Sequence, residues 1–280
     1  MTNTTETRQQ RPVLVIGATG KTGARVADRL DRAAVPVRRA SRTSTTHFDW
    51  TDRGTWKPAL AGSGAVYITY QPDLIVPDSL DDITAFVAAA EDAGVDRLVL
   101  LSGRGEPEAK ACEEVVLGAG PPATVLRCSW FAQNFSEAFL VDDIRGGEVV
   151  LPVGPVGEPF IDADDIADAA LEALTGTGHA GRVYELTGPR LLTFADATAE
   201  IARVLGRDIA FVTVSDVDYR GALVAAGIGP DYTDMVMALF GTLFDGRNES
   251  VTDGVREILG RAPGDFSDVV KKAASRGAWS

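Results

Sequence analysis

The chain is poor in the residues that build metal centres and disulfide frameworks. Its 280 residues include two cysteines, Cys112 and Cys128, and two histidines, His47 and His179. Neither their number nor their spacing suits a disulfide scaffold or a zinc site, so no metal is expected. Positive charge is also short: 27 Lys and Arg stand against 40 Asp and Glu, a formal net charge of −13. Binding through nucleic-acid phosphates needs clustered cations, so nucleic acid is not an expected partner. No run approaches the roughly 18 apolar residues of a membrane span. Residues 1–10 are polar after Met1 and lack the apolar stretch of a signal peptide, so they read as a disordered tail. The expectation is a cytoplasmic protein without a membrane partner.

What is present begins at Val13-Leu-Val-Ile16, four aliphatic residues that suit a central parallel strand covered on both faces. A glycine-rich turn, Gly17-Ala-Thr-Gly20-Lys-Thr-Gly23, follows directly, and Val26, Ala27 and Leu30 then recur at helical spacing. Position 15 is Val, which excludes a Walker loop, and position 19 is Thr, which excludes the three-glycine dinucleotide fingerprint. The remaining pattern, G-x-x-G-x-x-G, is a variant of the same phosphate cradle. Backbone amides at the helix start would face an anion, which the helix dipole also favours.

The second strand, 36–40, ends in Arg38-Arg39-Ala-Ser41-Arg42. An NAD site would carry an acidic residue here for the ribose 2′-hydroxyl. Ser41 and Arg42, with Arg39 in reserve, instead offer donors for a 2′-phosphate, so the expected cofactor is NADPH. Further strands are read at 46–49, 65–70, 97–101 and 124–127, with helices at 77–93 and 108–117 between them. Their alternation predicts an α/β, Rossmann-like, doubly wound parallel sheet, with ligands beyond the carboxyl ends of the strands. Gly17, Ser41, Asp49, Tyr70, Ser102 and Cys128 would share that edge. From 11 to 155 the chain reads as the cofactor-binding domain, and from 156 to 280 as a smaller, mostly helical substrate lobe. Strand 182–186 is expected to return to the sheet, and helices are read at 194–205, 216–226, 232–244, 252–259 and 266–275.

Together the tracts Gly17–Gly23, Phe48-Asp-Trp50, Ala65-Val-Tyr-Ile, Arg97-Leu-Val-Leu-Leu-Ser102, Trp130-Phe-Ala-Gln-Asn134, Pro159-Phe-Ile-Asp-Ala-Asp-Asp-Ile-Ala167 and Gly188-Pro-Arg-Leu-Leu-Thr193 resemble the NmrA-like branch of the atypical short-chain dehydrogenase/reductases. Within that branch the chain looks most like the ergot-alkaloid-type reductases, which reduce a carbon–nitrogen double bond with NADPH. The resemblance implies that Gly17, Thr19, Gly20, Lys21 and Thr22 hold the pyrophosphate. It implies Ser41 and Arg42 at the 2′-phosphate, and Asp49 and Trp50 on the adenine side. Thr69, Tyr70 and Ser102 would flank the nicotinamide, with Trp130, Phe131 and Asn134 lining the substrate site.

One departure from the parent superfamily matters. The usual Tyr stands four residues before a catalytic Lys; here Lys110 has Glu106 at that place. Glu106 and Lys110 are therefore either the candidate catalytic pair, with Glu106 placing negative charge by the reacting carbon, or an exposed i,i+4 ion pair. Hydride addition to an iminium ion yields an amine directly and needs no acid, whereas ketone reduction does. The expected function is an NADPH-dependent reductase of an electrophilic C=N, C=C or quinone group in a small organic molecule, with a place in secondary metabolism. The alternative is an NADP(H)-binding redox sensor without catalysis, acting as a monomer or homodimer in either case. An enclosed apolar pocket lined by Trp130, Phe131 and helix 232–244 would favour the enzyme; an exposed apolar patch would favour the sensor.

Overall fold

The structure is a computed structural model and describes residues 11–280; the tail expected at 1–10 lies outside the described residues. In chain order the first half runs β1 (Val13–Ile16), α1 (Lys21–Arg32), β2 (Val37–Ser41), β3 (Thr46–His47), α2 (Trp56–Leu60), β4 (Ala65–Ile68), α3 (Ser79–Asp92), β5 (Arg97–Gly103), α4 (Pro107–Leu117) and β6 (Ala123–Cys128). The second half runs α5 (Leu140–Gly146), β7 (Glu148–Leu151), α6 (Ala163–Thr175), β8 (Arg182–Leu186), α7 (Phe194–Leu205), β9 (Ala210–Thr213), α8 (Asp216–Ala225), α9 (Pro230–Leu243), α10 (Gly254–Leu259) and α11 (Phe266–Ser275).

Seven strands form one parallel sheet in the order β3-β2-β1-β4-β5-β6-β8. All four residues of β1 and of β4 are buried, as strands covered on both faces require. Successive side chains go to opposite faces. Leu14 and Ile16 meet Trp56, Ile83, Phe86 and Val116 from α2, α3 and α4. Val13 and Val15 belong to the opposite core, with Val26 and Leu30 of α1, Ala169 and Ala173 of α6, and Val255 of α10. Strand order reverses between β1 and β4, so the loops leaving them diverge and open a crevice at their carboxyl ends.

A third core lies beyond that edge. Phe135, Phe160, Phe194, Phe244 and Phe266 pack there, with Phe160 and Phe194 perpendicular at 5.2 Å and Phe194 and Phe244 at 5.0 Å and 84°. Each such edge-to-face pair contributes about 0.5–1.5 kcal/mol beyond its buried area. Trp279 near the C-terminus closes this core, donating its indole N–H to the Phe135 carbonyl at 2.8 Å. The lobe is mostly helical, with one parallel pair, β7 and β9.

The division at 155 differs from the expected one. Besides strand β8, whose return to the sheet was expected, helices α6 and α10 follow it and yet cover the large sheet. Conversely, α5 and β7 precede it and bury Leu140, Ile144, Val149 and Leu151 in the lobe core. The physical reason is that apolar faces on α1 and β6 need covering, and the chain crosses back to do so. Strand β9 had no reading in the sequence: its four residues are half-exposed or exposed, so no buried pattern marks it. Among the described residues no helix is long and apolar enough to cross a membrane.

Candidate active site

The glycine turn joins β1 to α1 at the crevice. Gly17 adopts φ +68°, and a Cβ there would also drive into the Thr69 hydroxyl. A Cβ on Gly23 would collide with the Gly17 carbonyl, so the first turn of α1 lies directly on the loop. Gly20 caps α1 with no side-chain hydrogen bond, and the first turn holds no acidic residue. The amides opening α1 therefore face the crevice without an internal acceptor, which suits an anion.

The crevice contains an outer cleft of about 780 Å³. Gly17, Thr19, Gly20, Lys21, Thr22, Ser41, Arg42, Asp49, Trp50, Thr69 and Tyr70 all line it. Of the three arginines near the end of β2, Arg38 donates to the Ala59 and Ala61 carbonyls, and Arg39 pairs with Asp28 and Asp31. Arg42 is exposed and makes no ion pair among the described residues. Ser41 turns its oxygen inward, accepting from the Thr43 and Ser44 amides at 3.2 and 3.0 Å. The Ser41 side chain thus shapes the loop that presents Arg42, and Arg39 is withdrawn by its own acids. Asp49 accepts from the amide and hydroxyl of Thr51, which hold its carboxyl below the usual range. Trp50 is buried between Phe48, Trp56 and Phe86 and donates its indole N–H to the Thr69 carbonyl at 2.9 Å. It is the floor of the cleft, and its ring supports Tyr70, whose hydroxyl donates to Asp82 at 2.8 Å.

An inner cavity of about 340 Å³ adjoins the cleft, and Lys21, Tyr70, Pro72, Leu101 and Tyr232 line both. Lys21 donates to the Asn134 side-chain oxygen at 2.6 Å, and burial lowers its pKa. Trp130, Phe131, Asn134 and Phe139 line one part of the cavity, and Tyr232, Met235, Leu239 and Leu243 of α9 with Phe244 another. The α9 stripe is core and cavity wall at once, since Leu243 also packs in the lobe core.

The proposed catalytic pair does not form. Lys110 is exposed and lines neither cavity, while Glu106 is buried, so no side-chain ion pair joins them. Helical spacing places them one turn apart, but Glu106 precedes α4 with an extended backbone, which turns its side chain inward against Gly103. Burial, then the charge of neighbouring Asp73, push the Glu106 carboxyl up to about 9, and burial raises Asp73 as well. Glu106 therefore keeps its proton at neutral pH. The Glu106 and Asp73 carboxyls lie close enough for their side chains to interact. The negative charge expected at Glu106 is therefore disfavoured at neutral pH. Ser102 lines the inner cavity and not the outer cleft. Its hydroxyl donates to buried Glu113 at 2.6 Å, which also pairs with Arg127.

Sequence reasoning missed Asp73, Arg104, Glu158 and Asn248, all of which line the inner cavity. Arg104 donates to the Asn248 and Ser250 carbonyls at 2.9 and 2.8 Å, pinning the loop after α9 to the end of β5. Glu158 is 2 % exposed, and burial raises its carboxyl to about 7. Its only signal in the sequence was a charged residue inside an otherwise apolar and Pro-Gly segment, 149–161.

A doubly wound sheet with an anion-binding turn at its switch point, flanked by a lobe that contributes a second cavity beside it, defines a nucleotide-cofactor-dependent oxidoreductase architecture. No protein-family model matches the chain. It is 32 % identical to agroclavine dehydrogenase of Claviceps fusiformis over 92 % of its length and 96 % of that protein's. It is 33 % identical to (4-alkanoyl-5-oxo-2,5-dihydrofuran-3-yl)methyl phosphate reductase of Streptomyces griseus, over 91 % and 95 %. Its fold matches the Citrobacter sp. triphenylmethane reductase complexed with NADP(H) at TM-score 0.78 and 23 % identity, covering 94 % of this chain and 99 % of that one. The chain belongs to the NmrA-like atypical short-chain dehydrogenase/reductase family.

Proposed function

We propose that the chain is an NADPH-dependent reductase of small organic molecules whose acceptor is an electrophilic C=N, C=C or quinone carbon. The observation that carries this reading is the inner cavity, more apolar than polar, that opens onto the cleft at Lys21, Tyr70 and Leu101. The glycine cradle, the uncapped start of α1 and unpaired Arg42 fit NADPH. In this reading Gly17, Thr19, Gly20, Lys21 and Thr22 bind the pyrophosphate, Arg42 the 2′-phosphate, and Asp49 the adenosine side. Trp50, Thr69 and Tyr70 shape the wall that the cofactor lies against. When bound, the reduced nicotinamide supplies a hydride. Trp130, Phe131, Asn134 and the apolar face of α9 then exclude water and orient the acceptor. A cationic acceptor such as an iminium ion would favour ionisation of the Asp73–Glu106 pair, so the cavity suits such an acceptor.

Relatives support the reaction class: one is named a dehydrogenase of an alkaloid, the other a reductase of a dihydrofuran phosphate. The sensor reading retains one observation, the exposure of Val217 (80 %) and Val224 (61 %) on α8. The test is oxidation of NADPH and NADH, followed by absorbance, against a cyclic iminium, a quinone, an enone and a ketone. Turnover with NADPH, least with the ketone, is expected. Tight NADPH binding without turnover of any acceptor overturns the reductase reading in favour of the sensor.

A further inference from the structure

We infer that Glu158 is the proton donor for neutral acceptors, the task left open by the absent tyrosine. The inference rests on the reductase reading above. Glu158 lines the inner cavity from the segment between β7 and α6, within an antiparallel bridge to Leu192: its amide donates to the Leu192 carbonyl at 2.9 Å, and its carbonyl accepts from the Leu192 amide at 3.1 Å. The backbone is thereby fixed on both sides. One carboxyl oxygen accepts the Trp130 amide at 2.9 Å, which fixes the side chain. The other oxygen is buried with no partner among the described residues. The Trp130 indole N–H, in the same cavity wall, is buried and unpartnered too. A buried polar atom without a partner costs about 1–3 kcal/mol. Two of them on adjoining residues are a donor and an acid awaiting a polar group of a ligand.

The chemistry follows from the charges around it. Arg104, reaching in from the end of β5, is the cation that favours ionised Glu158, but its guanidinium is shared with Glu185 and the 248–250 backbone. Asp73, Glu106 and Lys21 line the same cavity, and Glu249 approaches the preceding residue by accepting the Gly157 amide. Burial outweighs Arg104 and holds the Glu158 carboxyl near neutrality, where it can both give and regain a proton. Reduction of an enone or quinone adds a hydride at carbon, delivered by reduced nicotinamide that leaves oxidised, and one proton. The O–H bond of Glu158 breaks, its proton goes to the oxygen or carbon bearing the negative charge, and water returns a proton to the carboxylate. The Trp130 N–H is placed to donate to the acceptor's carbonyl oxygen. An iminium acceptor needs none of this.

The test compares the wild type with Glu158→Gln, which keeps size and can keep the Trp130 bond. For each protein NADPH affinity is measured by fluorescence, turnover of an enone, a quinone and a cyclic iminium is followed across pH 5–9, and carboxyl groups are titrated by infrared difference spectroscopy without cofactor. The expected result is a fall of about 100-fold or more in the ratio of neutral-acceptor to iminium turnover. The wild type's loss of enone and quinone turnover above about pH 7 disappears, together with a carboxyl band titrating there, while NADPH affinity is kept. An unchanged ratio and pH profile in Glu158→Gln, with a wild type that turns over, overturns the role of Glu158 alone. A wild type that binds NADPH and reduces nothing overturns the reductase reading and this role with it. Should Glu158→Gln misfold, Glu158→Asp replaces it: it retains the acid but shortens its reach, and undiminished enone turnover in that variant counts against the assignment.

Discussion

The outer cleft and the inner cavity share a wall but are built differently. The cleft is made from consecutive residues at the ends of adjacent strands, and its groups are held by near neighbours: Ser41 by Thr43 and Ser44, Asp49 by Thr51. The cavity is assembled from distant segments, with Ser102 and Arg104 leaving β5, Trp130 leaving β6, Glu158 preceding α6 and Asn248 following α9. Charge differs as well. The cleft presents amides and one free guanidinium, whereas the cavity gathers three carboxyls whose pKa values are all raised, at Asp73, Glu106 and Glu158. A site for a constant ligand is written locally; a site for a variable substrate is written by what the lobe brings back.

The sharpest way to break the contrast is at its join. Arg127 holds buried Glu113, which Ser102 also contacts, and links both to Glu185. Arg127→Met strands the Glu113 charge and is expected to cost about 3–5 kcal/mol of stability, read by denaturant unfolding. A loss below about 1 kcal/mol would mean that Glu113 is reached by water. On the cleft side, Gly23→Ala forces α1 away from the Gly17 carbonyl. NADPH affinity should drop by about 100-fold, close to 3 kcal/mol, and retention of affinity would show that the loop can yield.

The cavity side is probed by acid. Glu158 ionises near 7 in the folded chain against an ordinary 4.5, so the folded state binds the extra proton between these values. Its contribution to stability is complete below about 4.5 and is lost as pH rises through about 7, for a total of about 3 kcal/mol. The stability-pH curve of wild type minus that of Glu158→Gln should fall across this window; a flat difference would place Glu158 in contact with solvent. A smaller effect belongs to Arg42, whose guanidinium has no ion-pair partner among the described residues. Arg42→Ala should weaken NADPH by about 10- to 100-fold, consistent with a charged hydrogen bond of about 1.5–3 kcal/mol, and leave NADH within about twofold.

These differences also explain what could be read in the sequence. The bounds of β1, β8, α7 and α11 follow from aliphatic runs and helical periodicity, and the residues of the glycine cradle from a short-range motif. Trp50 was legible as a residue of the cleft, but its role as floor was not, because that depends on Phe86 and Trp56 meeting it across the sheet edge. Glu158 was invisible for a stronger reason: a single Glu in a Pro-Gly segment reads as solvated, and only the bridge to Leu192 and the Trp130 amide show it to be buried.

Lys110 gives the smallest expected effect and tests the opposite error, a spacing that looked chemical. Glu106 and Lys110 are one helical turn apart in number, but α4 begins at Pro107, so Glu106 stands before the helix with φ −95° and ψ 115°. That extended residue points its carboxyl toward Gly103 and Asp73, while Lys110, already helical, faces out. Lys110→Ala is therefore expected to change stability by less than about 0.5 kcal/mol, and turnover on any accepted substrate by less than about twofold. Glu106→Gln, by contrast, removes a carboxyl that a cationic acceptor would draw into its ionised form, and should raise the KM of a cationic acceptor more than that of a neutral one. If Lys110→Ala instead lowered kcat by tenfold or more, Lys110 would have to reach the cofactor in the working enzyme. The inner cavity would then have to open toward α4, and the separation of cleft from cavity would describe only the resting fold.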